Sequence, residues 1–424
     1  MYNYIPLEQA ADILDSYRKP VNSKERLNLI KGKPLDELFP YYGATGQVGW
    51  IDSFLTDGEY ILLGEDGAPF LNPYAEKAYI IYGKTWVNNH AHILRSKTNN
   101  EFLCYYLNYF NYKNYVSGTT RLKLTQAQMR KIPIPNIPSD EQSRIVARIE
   151  ELFSELDKAV DTLKNTKEQL EVYRQAVLKA AFEGKYTKWW RKNHNVSANE
   201  EYCELRKENQ VFKDTSGDEN ELSLNIPDEW MKVRLGEIFD VEVGATPSRQ
   251  HAEYWNGSIP WVSSGEVRFT TINKTREMIT DIGLKNASTN LQPIGTVLLA
   301  MIGEGKTRGQ SAILNIPAAH NQNTAAILVS KTLCQPKYIY YFLQLNYENT
   351  RRVGSGNNQK ALNKERVRAI RVPFAPIAEQ SIIVKEIEKR LSICENIEQT
   401  VNTALAQADA MRQSILKQAF EGTM

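Results

Sequence analysis

The sequence predicts a multidomain α/β (α+β) protein in which two domains with twisted sheets alternate with two long helices. The helices are expected to form an antiparallel coiled coil, and the whole to follow an internal repeat with pseudo-two-fold symmetry. Three observations carry this. At 424 residues the chain exceeds one ordinary core. A segment of it recurs without a gap. Each copy of that segment carries apolar residues at alternating spacings of three and four, the seam of a coiled coil.

The repeat is plainest at the helix ends. Arg174-Gln175-Ala176-Val177-Leu178-Lys179-Ala180-Ala181-Phe182-Glu183-Gly184 returns as Arg412-Gln413-Ser414-Ile415-Leu416-Lys417-Gln418-Ala419-Phe420-Glu421-Gly422, identical at eight of eleven positions and displaced by 238. The same displacement pairs Pro135 with Pro373, Pro138 with Pro376, and Glu141-Gln142 with Glu379-Gln380. The first seam runs Ile145, Ile149, Leu152, Leu156, Ala159, Leu163, Thr166, Leu170, Tyr173 and Val177. The second runs Ile383, Ile387, Arg390, Cys394, Ile397, Val401, Ala404, Ala408, Met411 and Ile415. Ser139-Asp140-Glu141-Gln142 offers a capping-box start to the first helix and Ile377-Ala378-Glu379-Gln380 offers no equivalent, while Gly184 and Gly422 are natural stops. The expected order is a domain at 1–138, a helix at 139–184, a polar connector at 185–224, a second domain at 225–376 and a helix at 377–424.

Upstream of each helix the two domains resemble one another more faintly. Leu7 to Asp12 answers to Leu235 to Asp240, and Pro40-Tyr41-Tyr42 to Pro260-Trp261-Val262. Gly58 to Leu63 answers to Gly295 to Leu299, and Asn89 to Leu94 to Asn323 to Leu328. Between these strings, length and chemistry differ, as when a scaffold is kept and binding loops diverge.

Charge is distributed to match. The net charge is only +2, but residues 1–138 carry +2 and residues 225–376 carry +6, while 139–184, 185–224 and 377–424 carry −3, −1 and −2. Positive charge confined to the domains suits localised phosphate contact. No apolar run approaches the ~20 residues of a membrane span. The first residues lack the build of a signal peptide. Cys104, Cys203, Cys334 and Cys394 are scattered, without disulfide or zinc spacing, so a reducing cytoplasm is expected and no metal site.

This arrangement resembles the specificity subunit of a type I restriction–modification enzyme over essentially its whole length. The local strings are Pro40-Tyr41-Tyr42-Gly43-Ala44-Thr45-Gly46 with Gly64-Glu65-Asp66-Gly67-Ala68, Ile226-Pro227-Asp228-Glu229-Trp230 with Leu235-Gly236, and Ala181-Phe182-Glu183-Gly184 with Trp190-Arg191. The resemblance implies two target-recognition domains, each reading one half of a split double-stranded DNA target, and no catalysis by this chain. It implies two adenine-N6 methyltransferase subunits, usually two restriction subunits, and S-adenosylmethionine, ATP and magnesium held by those partners rather than here. The rivals are a specificity module of another restriction or methylation system of related build, and a P-loop nucleotide enzyme suggested by Ala300-Met301-Ile302-Gly303-Glu304-Gly305-Lys306-Thr307.

Asn and Gln suit adenine and Arg suits guanine, because their paired donors and acceptors match base edges. The DNA-contact candidates are Tyr42, Thr45, Gln47, Asn88, Asn89, Thr119, Thr120, Arg121 and Lys123 in the first domain. In the second they are Thr246, Ser248, Arg249, Lys306, Arg308, Asn321, Asn323, Asn357, Asn358 and Gln359. Phe182 and Phe420 are the candidate partner-docking residues. Asn72-Pro73-Tyr74 lacks the second proline of an adenine-gripping methyltransferase motif and reads as a turn; His90 and His92 share a strand face without a third metal ligand.

If the helix pair sets the distance between half-sites, inserting four residues near Leu163 and four near Val401 adds ~6 Å and roughly 40°. Since duplex DNA advances ~3.4 Å per base pair, both half-sites should persist with the gap between them longer by one or two base pairs. Sequencing of the methylated motif measures that gap.

Overall fold

The computed structural model describes residues 3–208, 223–303, 305–352 and 362–422. The chain divides into two compact units, 1–167 with 399–424, and 168–398. The division falls inside both long helices, Ser139–Phe182 and Ile377–Glu421. Each unit is therefore completed by helix from the other half of the sequence. Among the described residues no helix is long and apolar enough to cross a membrane.

In the first unit an antiparallel sheet has the order Ala11–Ile13, Ala91–Ser96, Tyr60–Gly64, Ala78–Ile81. Every residue of Tyr60–Gly64 is buried, because the strand is covered on both faces. Ile61 and Leu63 face the helices, and Tyr60 and Leu62 the opposite cluster, as a period of two requires. A second sheet has the order Gly46–Ile51, Phe39–Gly43, Lys84–Val87, Thr56–Asp57, with Tyr41 opposite Trp86 in parallel. The helix Asn100–Tyr109 lies against the first sheet and is capped by Asn99, whose side chain accepts from the Phe102 amide at 2.7 Å. A ribbon of Tyr4–Pro6 with Pro133–Pro135 leads into the first long helix.

The second unit repeats this plan. Its five-stranded sheet runs Val241–Val243, Thr324–Ile327, Val297–Ala300, Ser311–Leu314, Thr270–Ile272, the last strand having no counterpart among the described residues of the first unit. Its smaller sheet pairs Trp255–Val262 with Glu277–Ile279 and, in parallel, with Ala319–His320. A ribbon of Met231–Arg234 with Arg371–Phe374 leads into the second long helix.

The strand registers revise one expected correspondence. Ile61 pairs with Leu94, and Val297 with Ile327, so Leu94 is equivalent to Ile327 rather than Leu328. Leu328 lies on the opposite face, packed with Leu298 and Ala300. A one-residue slip exchanges the two faces of a strand.

The helix termini hold as expected in part. Gly184, at φ +65°, ends the first helix with Lys185 N donating to Ala180 O and Gly184 N to Ala181 O, both at 3.0 Å, and Gly422 takes φ +74°. The shared Glu-Gln pair does something other than close a capping box. Gln142 Nε2 donates to Ile137 O at 2.8 Å and its Oε1 accepts from Thr98; Gln380 Nε2 donates to Ala375 O at 2.9 Å and its Oε1 accepts from Gln335 N. Both side chains are buried and tie the helix start to the domain core. The second helix does have a cap: Glu201, from the helix Ala198–Glu208, accepts from Ile377 N at 2.8 Å.

Within each unit the long helices run antiparallel. Arg412 pairs with Asp157 and Lys167 Nζ reaches Asn402 Oδ1 at 3.0 Å in the first unit; Arg174 pairs with Glu398 at 2.7 Å in the second. The seam is narrower than predicted. The sevenfold row Ile387, Cys394, Val401, Ala408, Ile415 is buried, whereas Tyr173, Ile397 and Met411 of the alternate row are exposed. Two helices alone need only one continuous row between them, and the domains cover no more than the helix ends.

Phe182 and Phe420 are not surface residues. Phe420 is 2% exposed, among Phe102, Tyr106 and Tyr109 at ring-centroid distances of 5.4, 5.2 and 5.5 Å. Phe182 is 0% exposed, against Tyr338 and Phe342 of the helix Pro336–Leu345 at 5.0 and 5.5 Å. Neither ring is available to dock a partner; each plugs the last turn of one half's helix into the other half's domain. Phe182→Ala and Phe420→Ala should each cost about 3–5 kcal/mol, read as a shifted denaturant midpoint.

Candidate nucleic-acid interface

In the first unit three loops meet at the end of strand Tyr60–Gly64. The hairpin turn Ala44-Thr45 joins Gly43 to Gly46, which sit opposite each other. A Cβ on Gly64 would stand 2.4 Å from the Cβ of Ala68 and 3.1 Å from the carbonyl of Ala44, so glycine lets the following turn and the hairpin close on the strand end. The segment 88–90 is tied to it by Asn88 N donating to Tyr42 O at 3.1 Å. The loop 117–123 returns through bridges from Lys123 to Asp66 and Ser117.

Thr45, Gln47, Asn89, Thr119, Thr120, Arg121 and Lys123 are exposed there, and Tyr42 is half-buried with its ring 5.9 Å from that of Tyr79. Gln47 Nε2 folds back to Gly49 O at 3.1 Å. Asn88 is 7% exposed, and its Oδ1 accepts from His90 N at 2.8 Å, which makes it a turn-former rather than a base reader. The basic residues are paired with acids that sequence spacing did not flag. Arg121 Nη2 meets Asp66 at 2.9 Å, and Lys123 Nζ meets Glu65 at 3.1 Å. Burial pushes the Glu65 carboxyl up, but hydrogen bonds from Arg18 and Lys123 outweigh it and hold the group below the usual range.

The two histidines serve this frame. His90 Nδ1 lies 2.6 Å from Asp66, and buried His92 is held between Asp15, at 2.7 Å, and Leu124 O, at 3.0 Å. Among the described residues no group of three or more His, Cys, Asp or Glu is placed to hold a metal ion. Tyr74 N donates to Asn72 Oδ1 at 3.0 Å, so Asn72-Pro73-Tyr74 is the expected turn.

The second unit assembles the equivalent corner with different chemistry. Asn321 N donates to Val262 O at 3.0 Å, and Asn321 Oδ1 accepts from Asn323 N at 3.2 Å. Asn321 is thus the counterpart of Asn88, equally buried at 7% and likewise structural. Ala245 N donates to His320 O at 2.9 Å and Thr246 to the side chain of Gln322, which fixes 244–249 beside 320–323. Met301 N donates to Asn323 O at 2.8 Å and brings in the loop 301–309. Exposed Lys306 and half-buried Arg308 lie on that loop, which is held by Arg308 Nη2 to Arg351 O at 2.9 Å and Arg351 Nη2 to Gly305 O at 2.7 Å. Ser248 and Arg249 are exposed at the end of the neighbouring segment. Asn357, Asn358 and Gln359 lie outside the described residues.

The loop after Ala300 joins Val297–Ala300 to the antiparallel strand Ser311–Leu314 and leads into no helix. A phosphate loop needs a helix N-terminus to face the phosphates, so the nucleotide-enzyme reading loses its structural basis.

The connector also has a place. Arg191 reaches Glu379, Thr187 Oγ1 at 3.0 Å and Gly184 O at 2.7 Å, and Trp230 Nε1 donates to the same Glu379 at 2.8 Å. Glu379 is fully buried. The strings around Trp190-Arg191 and Glu229-Trp230 are therefore one buried junction at the start of the second long helix.

Two copies of one scaffold, each closed by a corner of divergent polar loops, define an internally duplicated protein. The family model for the type I restriction modification DNA specificity domain matches residues 9–172 and 227–407, and the chain belongs to that family. It is 24% identical over 423 residues to the EcoDI type I restriction enzyme specificity subunit of Escherichia coli, covering 96% of this chain and 88% of the relative. It is 36% identical over 149 residues to a putative type I restriction enzyme specificity subunit of Haemophilus influenzae, a match spanning 35% of this chain and 36% of that one. Its fold is shared with a chain from structural work on complex assembly and conformational transition of the type I R-M system, at a TM-score of 0.67 and 15% identity, covering 99% and 97% of the two chains.

His320, beside this corner, gives a pH prediction. Burial lowers its pKa to about 4, and its Nδ1 lies 2.7 Å from Thr324 Oγ1. Between pH 6.5 and about 4 the unfolded chain binds a proton that the folded chain refuses, so stability falls as pH drops through that window. The loss should be on the order of 3 kcal/mol. His320→Asn should flatten the dependence of the denaturation midpoint on pH.

Proposed function

We propose that the chain is the DNA-specificity subunit of a type I restriction–modification complex and reads an asymmetric, two-part target, one half with each domain. The observation that carries this is the duplication itself: four strands of the larger sheet in the same order and register in both domains, down to Asn88 and Asn321 in like turns, beneath loops whose exposed residues differ. A kept frame with diverged loops is what two readers of unlike half-sites require. On this reading the chain supplies sequence choice and no chemistry. Two adenine-N6 methyltransferase subunits bring S-adenosylmethionine, and restriction subunits bring ATP- and magnesium-dependent cleavage, in the cytoplasm.

Two experiments test it. Replacing residues 225–376 by the matching domain of a relative should change one half of the methylated motif and leave the other intact; a change in both halves would refute independent reading. The purified chain given labelled S-adenosylmethionine and duplex DNA should transfer no methyl group, and transfer would make it an enzyme.

A further inference from the structure

The segment 245–249, exposed at Ser248 and Arg249, ends on a built platform. The guanidinium of Arg249 lies 3.7 Å from the ring centroid of Trp255 and 5.6 Å from that of Trp261. Both of its terminal nitrogens meet the Glu277 carboxylate, Nη2 at 2.9 Å from Oε2. The two indoles stand edge to face at 5.2 Å and 86°. Trp255 Nε1 donates to Ser248 O at 3.2 Å, and Trp261 Nε1 to Ala245 O at 3.0 Å, so both rings latch the segment that carries the arginine. Glu277 is itself placed by the pairing of its strand with Trp255–Val262, opposite Trp261. The platform is open: the Arg249 side chain is 57% exposed and that of Glu277 37%.

An arginine that only collects phosphate gains nothing from a carboxylate in contact with it. The pair is neutral, so its long-range pull on a polyanion is cancelled, and the carboxylate repels phosphate at short range. A base edge is different, since it is uncharged and offers acceptors and donors together. Guanidinium has five N–H donors; Glu277 occupies two, which leaves three for another partner on a side chain that is 57% exposed. Two of these match the O6 and N7 acceptors of guanine, while the free lone pairs of the carboxylate suit the N4 amine of the paired cytosine. Stacking on an indole and a bidentate partner also fix the fork before DNA arrives, which reduces the ordering cost of binding.

We propose that the Arg249–Glu277 pair, mounted on Trp255, reads the edge of one G·C base pair in the half-site of the second domain. This rests on the DNA-specificity reading above. The test incubates the full chain with a randomised duplex library and sequences the bound fraction, for the unaltered chain, Arg249→Ala, Arg249→Lys and Glu277→Gln. The unaltered chain should recover a two-part motif. Arg249→Ala should lose the guanine preference at one position of the second half, roughly tenfold to a hundredfold, with the first half retained as an internal sign of folding. Arg249→Lys should not restore it, because an ammonium lacks the fork. Glu277→Gln should weaken discrimination at the same position. An unchanged motif with Arg249→Ala overturns the proposal. So does a uniform loss of affinity that lysine repairs, which marks a phosphate contact. Recovery of no motif by the unaltered chain defeats the DNA-specificity reading itself.

Discussion

Everything in this fold depends on where two aromatic rings go. Each long helix ends in Phe-Glu-Gly, and each ring, Phe182 or Phe420, enters the core of the domain built by the other half of the sequence. The helix seam between them is a single sevenfold row of side chains, with its alternate row open to solvent at Tyr173, Ile397 and Met411. A seam that thin buries little apolar surface. The plugs at its ends therefore do more for the association of the helices with the domains than the coiled coil does. They also bring rings into edge-to-face contact, which adds to plain burial.

The second layer of constraint is the polar junction at each helix start. Gln142 and Gln380 satisfy the carbonyls of Ile137 and Ala375, which would otherwise be buried without a partner, and Glu379 gathers Arg191 and Trp230. A buried carboxylate is tolerated because these donors surround it. Among the described residues, only the second half has this arrangement, because it is preceded by the connector that holds Arg191 and Glu201. The two halves are alike in strands and unlike in what surrounds them.

Much of this was legible in the sequence, for identifiable reasons. The helices were visible because a sevenfold pattern accumulates over forty residues, and their ends because glycine at positive φ leaves a mark. The loops that meet at each corner were visible because turn residues punctuate the strands. What failed did so locally. The string Ile327-Leu328 offers two adjacent apolar residues, and no one-dimensional comparison distinguishes them, so Leu94 was matched to the wrong face. Asn88 and Asn321 carry the chemistry of a base reader, but a side chain that closes its own turn has the same letter as one that faces solvent. A terminal phenylalanine reads equally as a docking residue or a plug. The platform beneath Arg249 is assembled from residues in three separate segments, and its acid lies 28 positions away. Pairings of that kind have no signature in spacing.

The interleaving of the halves also sets a schedule for biosynthesis. Tyr109 hydrogen-bonds to Glu421 across 312 residues, and the neighbouring ring of Phe420 covers Phe102, Tyr106 and Tyr109. Those three aromatic side chains leave the ribosome some three hundred residues before their cover does. At roughly 5–20 residues per second, the first domain waits on the order of 15–60 s with an apolar socket open. During that wait the Phe420 helix turn of a sister chain has the same socket to enter. The speed of translation therefore sets how long the chain can close upon a neighbour before it can close upon itself.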